Sequence, residues 1–469
     1  MRRKKWMKGK TIFLSVIFRL VILSFIILFV FACKSNDPAD STVTLLDRFN
    51  SLPGVSAVEI DPYYNFPQAF EIEVTQAVDH NNPDGQNFTQ RIFLKHVDES
   101  LPMVINTAGY GATVKSGSDL NYFFASNHIS VVHRYCENAK PDPLNWQYLT
   151  IKQAAADHHH IIKLFKTIYK GKWVSTGRSK GGEAALFHKR FYPEDVQATV
   201  AFVAPLVIGM LDSRFLDFFE TAYDEDCLTI IHQFQRRLLE NRDDLLVRFV
   251  NWFPDNGYHL TADPIAEFES AVRWYKWDFW QHHICDCTAI PDTNDSIDEM
   301  FAHFAEVINI SFFSDERREY FKPSFYQTVT ELGTPAFNTD YLNDLFIGEI
   351  SLFEDWIEYF ESQGIQIDFN PEPVLDVIQW LQTKGNNIIY IYGSVDPWTA
   401  AAIELTGQTN AIKIIQEGAD HRIKISDLDD KELVSDALKN WLNVEIFEQG
   451  GPGLSKSNEF DDESYLIPK

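Results

Sequence analysis

Hydrophobic positions along the chain follow two patterns, which divide it into three stretches. In residues 61–211 and again in 376–448, short apolar runs of strand length alternate with amphipathic helical segments. Residues 212–375, between them, are rich in aromatic helical segments such as 226–250 and 268–283 and lack this alternation. Strands that alternate with helices predict a mostly parallel sheet with right-handed crossovers. We therefore predict an α/β core in two parts, with a helical cap inserted in the second half of the sheet.

The individual runs predict a definite order of elements. Two alternating runs that flank the turn cluster 81–85 predict a hairpin over residues 69–97. Further strands are predicted at 101–107, 129–135, 172–176, 198–205, 387–392 and 411–415, and helices at 151–169, 183–191, 377–383 and 430–442.

Both ends of the chain differ from this pattern. Basic residues followed by an apolar stretch make residues 1–33 a predicted secretory signal. The small residue before Cys33 resembles a lipoprotein processing box and makes Cys33 a candidate for lipidation, although the bulky Phe31 departs from it. An uncut signal anchor is the alternative. Residues 34–60 are then a tether and N-terminal extension, and 449–469 a disordered tail.

Either interpretation predicts a membrane-anchored location outside the cytoplasm, as for a bacterial lipoprotein in the periplasm or at the cell surface. The net charge of the 469 residues is −26, and the basic N-terminal segment contributes none of the acidic groups. Nucleic acid is excluded as an expected partner, because phosphate binding needs a basic surface.

Four cysteines follow Cys33, at positions 136, 227, 285 and 287. An oxidising location permits disulfides, and the sequence leaves all three pairings open. The spacing of the His/Cys run 282–287 matches no usual zinc pattern, so we predict no metal site.

The segment Gly177-Arg178-Ser179-Lys180-Gly181 carries the main chemical signal. It is a Gly-x-Ser-x-Gly pattern between a predicted strand and a predicted helix. Strand, tight turn and helix together form the nucleophile elbow of an α/β-hydrolase, in which glycines permit the sharp turn. We predict the α/β-hydrolase fold with Ser179 as nucleophile; a structural glycine turn is the alternative.

A serine nucleophile needs a base and an acid that orients the base. In α/β-hydrolases they follow the serine in the order acid, then histidine. Asp396 follows the strand 387–392, and His421 follows the strand 411–415. Alone, Asp396 could be a helix cap and His421 an ordinary loop histidine. Their order after Ser179 favours a catalytic triad.

An oxyanion hole also needs backbone N–H donors. We predict one from Lys180, which follows the nucleophile, and another from Tyr110 or Gly111 in the loop after the strand 101–107. The side chain of Lys180 is expected to point away from the site.

Several motifs resemble the secreted bacterial tripeptidyl aminopeptidases, a family of serine peptidases. They are His133-Arg134-Tyr135, the runs 145–150, 153–158 and 175–182, Arg190 to Pro193, 201–205, 78–80, 106–111, 393–398 and 419–421. A more distant similarity is to the lysosomal prolyl carboxypeptidase group, which also inserts a helical cap.

This resemblance implies an exopeptidase that releases tripeptides or similar short peptides from substrates with a free N-terminus, often after proline. It implies the roles of nucleophile, acid and base for Ser179, Asp396 and His421, and no cofactor. Arg178 stands where a small residue is expected before the serine, and Glu183 stands where an apolar residue is expected after the two glycines. Both positions are close to the serine in sequence, so the substrate preference stays open. An esterase or lipase on the same fold, and a catalytically inactive surface binding protein, are the competing hypotheses.

Overall fold

The computed structural model describes residues 43–63, 66–282, 286–348 and 354–447. The predicted signal with Cys33 and the predicted tail therefore lie outside the described residues. No helix within the described ranges is long and apolar enough to cross a membrane.

The described chain falls into two compact units, and the first ends at Ser51. Within it lies one short helix, α1 (Leu45–Asn50). Thr44 and Asp47 form a capping box at its start, in which each side chain accepts from the other residue's backbone N–H.

The second unit begins at Leu52 and is built on a nine-stranded sheet. Its strands are β1 (Val55–Ile60), β2 (Gln68–Ala77), β3 (Asn87–His96), β4 (Met103–Thr107), β5 (Asn127–Val131), β6 (Trp173–Arg178), β7 (Ala198–Phe202), β10 (Ile388–Gly393) and β11 (Ile412–Gln416). Two further strands, β8 (Leu211–Asp212) and β9 (Thr334–Pro335), form a separate pair. The order across the sheet is β1-β2-β3-β5-β4-β6-β7-β10-β11. The first three strands and β5 pair antiparallel, and all pairs from β5 to β11 are parallel.

The central strands are buried on both faces, as parallel strands covered by helices should be. Every residue of β4, β5, β7 and β10 is buried. β2 and β3 pair antiparallel, which confirms the hairpin predicted over residues 69–97. The prediction lacked β1, which lies in the segment assigned to the N-terminal extension; only Ala57 of this edge strand is buried, so its apolar signal is weak.

Helices cover both faces of the sheet. They are α2 (Leu120–Phe123), α3 (Ile151–Phe165), α4 (Lys180–Phe191), α12 (Glu372–Lys384) and α13 (Lys431–Leu442). Neighbouring residues of one strand face opposite cores: Val200 packs in a cluster with Leu438 of α13, and Ala201 in another with Leu186 of α4. This alternation is the period-two geometry of a strand.

A helical region fills the chain between β7 and α12. Its helices are α5 (Arg214–Thr221), α6 (Glu225–Glu240), α7 (Arg242–Asp255), α8 (Pro264–Gln281), α9 (Ile297–Val307), α10 (Asp315–Gln327) and α11 (Glu354–Ser362). The two-residue strands β8 (Leu211–Asp212) and β9 (Thr334–Pro335) pair in parallel. The region has an aromatic-rich core of its own.

Among the described residues, one disulfide joins two of the four cysteines whose pairing the sequence left open. Cys227 of α6 is disulfide-bonded to Cys287, which begins a short 3₁₀-helix. Cys136 is a free, buried thiol. The side chain of Cys285 lies outside the described residues.

Candidate active site

Ser179 occupies a strained turn between β6 and α4. Its backbone has φ 54° and ψ −127°, a conformation that is unfavourable for any residue with a side chain. The turn requires glycine on either side: a Cβ added to Gly177 would lie 2.2 Å from the Gly181 carbonyl oxygen, and one added to Gly181 would lie 2.4 Å from that of Thr107. The strand, the strained serine and the following helix form a nucleophile elbow, and with the sheet they confirm the predicted α/β-hydrolase fold.

Asp396 and His421 lie together at the ends of β10 and β11. His421 Nδ1 is 2.7 Å from Asp396 Oδ2, and both side chains are buried. The other carboxylate oxygen of Asp396 accepts the Trp398 backbone N–H at 3.1 Å. A carboxylate that holds Nδ1–H in this way leaves Nε2 of the imidazole as the proton acceptor.

Arg178 connects the elbow to the loop that carries His421. Its guanidinium group donates to the carbonyl oxygens of His421, at 2.7 Å, and Ile423, at 2.8 Å. The same group lies over the Phe202 ring, 5.1 Å from its centroid. The residue that precedes the serine therefore holds the backbone of residue 421. Sequence reasoning noted Arg178 as unusual but did not find this role; a basic residue at the end of a buried strand was the available signal.

The loop after β4 lies directly against the elbow. Gly109 has φ +78°, and a Cβ there would lie 2.5 Å from the backbone nitrogen of Gly181. The Gly111 N–H donates to the hydroxyl of Tyr320 in α10 at 3.0 Å, so of the two predicted loop donors Gly111 is already engaged within the protein. The Lys180 N–H belongs to the first turn of α4, where backbone donors have no partner within the helix.

The Lys180 side chain reaches the loop after β4 and the helical region. Its Nζ donates to the Gly109 carbonyl oxygen at 2.9 Å and to Gln327 Oε1 of α10 at 2.8 Å. Burial lowers the pKa of Lys180 and raises the pKa of nearby Glu183. The ammonium thus joins the elbow helix, the loop after β4 and the helical region through two buried hydrogen bonds. The unusual Glu183 lines the same small buried cavity as Lys180 and His133.

The end of α8 borders the site from the helical region. The His421 backbone N–H donates to the Gln281 carbonyl oxygen at 3.0 Å, and the rings of His282 and His421 have centroids 6.1 Å apart. Trp277 and Trp280 of the same helix are buried and pack in the core of the helical region. Among the described residues, no group of three or more His, Cys, Asp or Glu side chains is arranged to hold a metal ion.

Comparison with known proteins identifies the family. The family model described as PS-10 peptidase S37 matches residues 38–447. The chain is 30% identical over 409 residues to the prolyl tri/tetrapeptidyl aminopeptidase of Streptomyces mobaraensis, covering 85% of each chain. This match confirms the predicted resemblance.

Two of the solved structures that are similar to this chain in fold have low sequence identity to it. A proline iminopeptidase of Mycobacterium smegmatis has a TM-score of 0.38 and 11% identity, covering 79% of this chain and 98% of its own. An alpha/beta fold family hydrolase of Bacillus anthracis has a TM-score of 0.34 and 14% identity, covering 76% and 96%. With the family model spanning most of the sequence, the chain belongs to the S37 peptidases and is a serine peptidase.

Proposed function

We propose that this protein is an exopeptidase that releases tripeptides or similar short peptides from substrates with a free N-terminus, with a preference for proline at the cleavage position. The observation that carries the proposal is the buried Asp396–His421 pair, because the loop of His421 is held by Arg178, the residue that precedes Ser179 in the elbow. The aminopeptidase relative at 30% identity supports the choice of a peptide substrate.

The proposed reaction begins with proton transfer from the Ser179 hydroxyl to His421 Nε2, while Asp396 holds Nδ1–H. The serine oxygen attacks the scissile carbonyl carbon, and negative charge develops on the carbonyl oxygen. The N–H groups of Lys180 and of Tyr110 are the proposed donors to that oxygen. His421 then protonates the leaving amine, and water hydrolyses the acyl-enzyme by the same steps in reverse.

The location is a second part of the proposal. We propose that the protein acts outside the cytoplasm, attached to a membrane through lipidated Cys33 or through an uncut signal anchor. The basic and apolar residues that precede Cys33 support this location, and so does the Cys227–Cys287 disulfide, because disulfides persist in oxidising compartments.

Labelling and a substrate panel test the activity. A fluorophosphonate should label Ser179, and Ser179→Ala should lower kcat for Ala-Ala-Pro-4-nitroanilide by roughly 10⁵-fold or more. The free peptide anilide should be cleaved much faster than its N-acetylated form and than short acyl esters.

The alternatives predict other outcomes of the same experiment. An esterase would hydrolyse the esters far faster than either anilide. Folded protein that forms no Ser179 adduct would establish a binding protein and contradict the peptidase proposal.

A further inference from the structure

Asp278 is an acidic side chain without a partner beside the site. It lies in α8, and its carboxylate makes no hydrogen bond or ion pair with any residue that the structure describes. It is partly buried, and burial raises the pKa of Asp278 to about 7. A carboxylate kept in such surroundings without a partner costs free energy, unless a ligand supplies the missing charge.

The position of Asp278 on α8 relates it to the proposed base. His282 directly follows α8, and its backbone N–H donates to the Asp278 carbonyl oxygen at 3.2 Å, so the two residues are one helical turn apart. The His282 ring is 6.1 Å from that of His421. Asp278 is three residues before Gln281, whose carbonyl oxygen holds the His421 backbone. Three residues correspond to about 4.5 Å along the helix axis.

The other carboxylates of α8 are already occupied. Glu267 is paired with Arg318, and Glu269 with Arg242 and with the backbone N–H groups of residues 347 and 348. Asp278 is therefore the acidic group of this helix that is left for a ligand.

We infer that Asp278 binds the α-ammonium group of the peptide substrate and so limits the length of the peptide that is released. This inference rests on the proposed exopeptidase function. A fully extended tripeptide spans at most about 10–11 Å, so the ammonium site must lie on an element that borders the proposed base, as α8 does. An ammonium at Asp278 would replace the lost hydration of the carboxylate with a charge-assisted hydrogen bond.

The test compares Asp278→Asn with wild type on three probes. They are Ala-Ala-Pro-4-nitroanilide with a free amine, its N-acetylated form, and a fluorophosphonate. We expect kcat/KM for the free-amine peptide to fall roughly 10–100-fold, the value for a lost charged hydrogen bond. The acetylated peptide and the rate of fluorophosphonate labelling should be unchanged, because neither carries an ammonium group.

Thermal unfolding separates this role from a structural one. Asp278→Asn removes a partly buried charge without a partner, so Tm should hold or rise; replacement of a structural carboxylate would lower it. The matched control is Asp255→Asn, an exposed aspartate at the end of α7 that lacks an ion pair among the described residues. It removes the same charge and should leave all three probes unaffected.

Two other results would overturn different statements. If folded Asp278→Asn cleaves the free-amine peptide with the wild-type kcat/KM, the ammonium is bound elsewhere and the inference is wrong, while the exopeptidase proposal stands. If the wild-type enzyme itself does not distinguish free from acetylated peptide, the exopeptidase proposal is wrong.

Discussion

Arg178 is a single side chain that holds the loop of the proposed base, His421, although the two residues are distant in sequence. It is 243 positions from His421, yet its planar guanidinium reaches the carbonyl oxygens of both His421 and Ile423. Lysine offers one flexible ammonium group in place of this rigid fork. Arg178 therefore acts through the backbone of His421, as a positioning residue.

We expect Arg178→Lys to lower kcat by roughly 10–100-fold, because a small displacement of a catalytic group is enough for such a loss. KM should change little. The rate of fluorophosphonate labelling should fall by a similar factor, since it depends on the same base. Arg190→Lys is the control, because Arg190 pairs with Asp376 on the surface. Labelling of folded Arg178→Lys at the wild-type rate would contradict the role.

Local patterns in the sequence were enough to predict candidate site residues. The elbow motif predicts Ser179 as the nucleophile, and chain order predicts Asp396 and His421 as acid and base. These roles stay predictions, and the structure places Asp396 and His421 in hydrogen-bond contact. The destinations of the Arg178 and Lys180 side chains were not predictable. Lys180 bonds Gln327, 147 positions away, and no local pattern reports which distant carbonyl or amide will lie within reach.

At the scale of elements, a disulfide links two parts of the helical region that are distant in sequence. It joins α6 to the short 3₁₀-helix at Cys287–Ala289, across a sequence separation of 60. Arg237 of α6 reinforces the same junction by donating to the Pro291 carbonyl oxygen at 2.7 Å. Both contacts hold the segment that follows α8, whose end borders His421.

We expect Cys227→Ser to lower the free energy of unfolding by roughly 4 kcal/mol, from the chain entropy that a loop of this length restores to the unfolded state. Chemical denaturation with and without dithiothreitol measures it: the reductant should destabilise the wild type and have no further effect on Cys227→Ser. Cys285→Ser is the matched control, since it leaves both bonded cysteines in place. Wild-type stability that is insensitive to reductant would refute the prediction.

Element boundaries show where sequence patterns fail. The helix predicted over 226–250 is two helices, with Asn241 at φ −106° between them. Its amide donates to the Arg237 carbonyl oxygen, so a short polar side chain ends α6 where neither glycine nor proline gives a signal. The strand predicted over 198–205 ends at Phe202, because Val203 has φ 41°. A β-branched residue rarely adopts this conformation, and only tertiary packing explains it.

At the scale of the whole molecule, charge bears on how the protein would stay at a membrane. A net charge of −26 gives the protein as a whole no electrostatic attraction to anionic lipid, so the proposed attachment depends on the N-terminal segment. Lipidated Cys33 and an uncut apolar anchor are the two proposed means.

We expect Cys33→Ser to abolish incorporation of a fatty-acid analogue and to remove the mature, membrane-attached form. Metabolic labelling followed by fractionation of the producing cells measures both effects. Ser35→Ala, two residues along, is the control and should behave as wild type. A Cys33→Ser protein that stays in the membrane fraction at full yield would favour the uncut anchor over lipidation.

The helical region inserted between β7 and α12 also has a consequence for biosynthesis. The ribosome completes the serine elbow first, and the loop of His421, 243 positions beyond Arg178, emerges much later. At roughly 5–20 residues per second, this interval lasts about 12–50 s. During that time the nascent chain carries a nucleophile without its proposed base, so it cannot digest neighbouring polypeptides before its own synthesis is nearly finished.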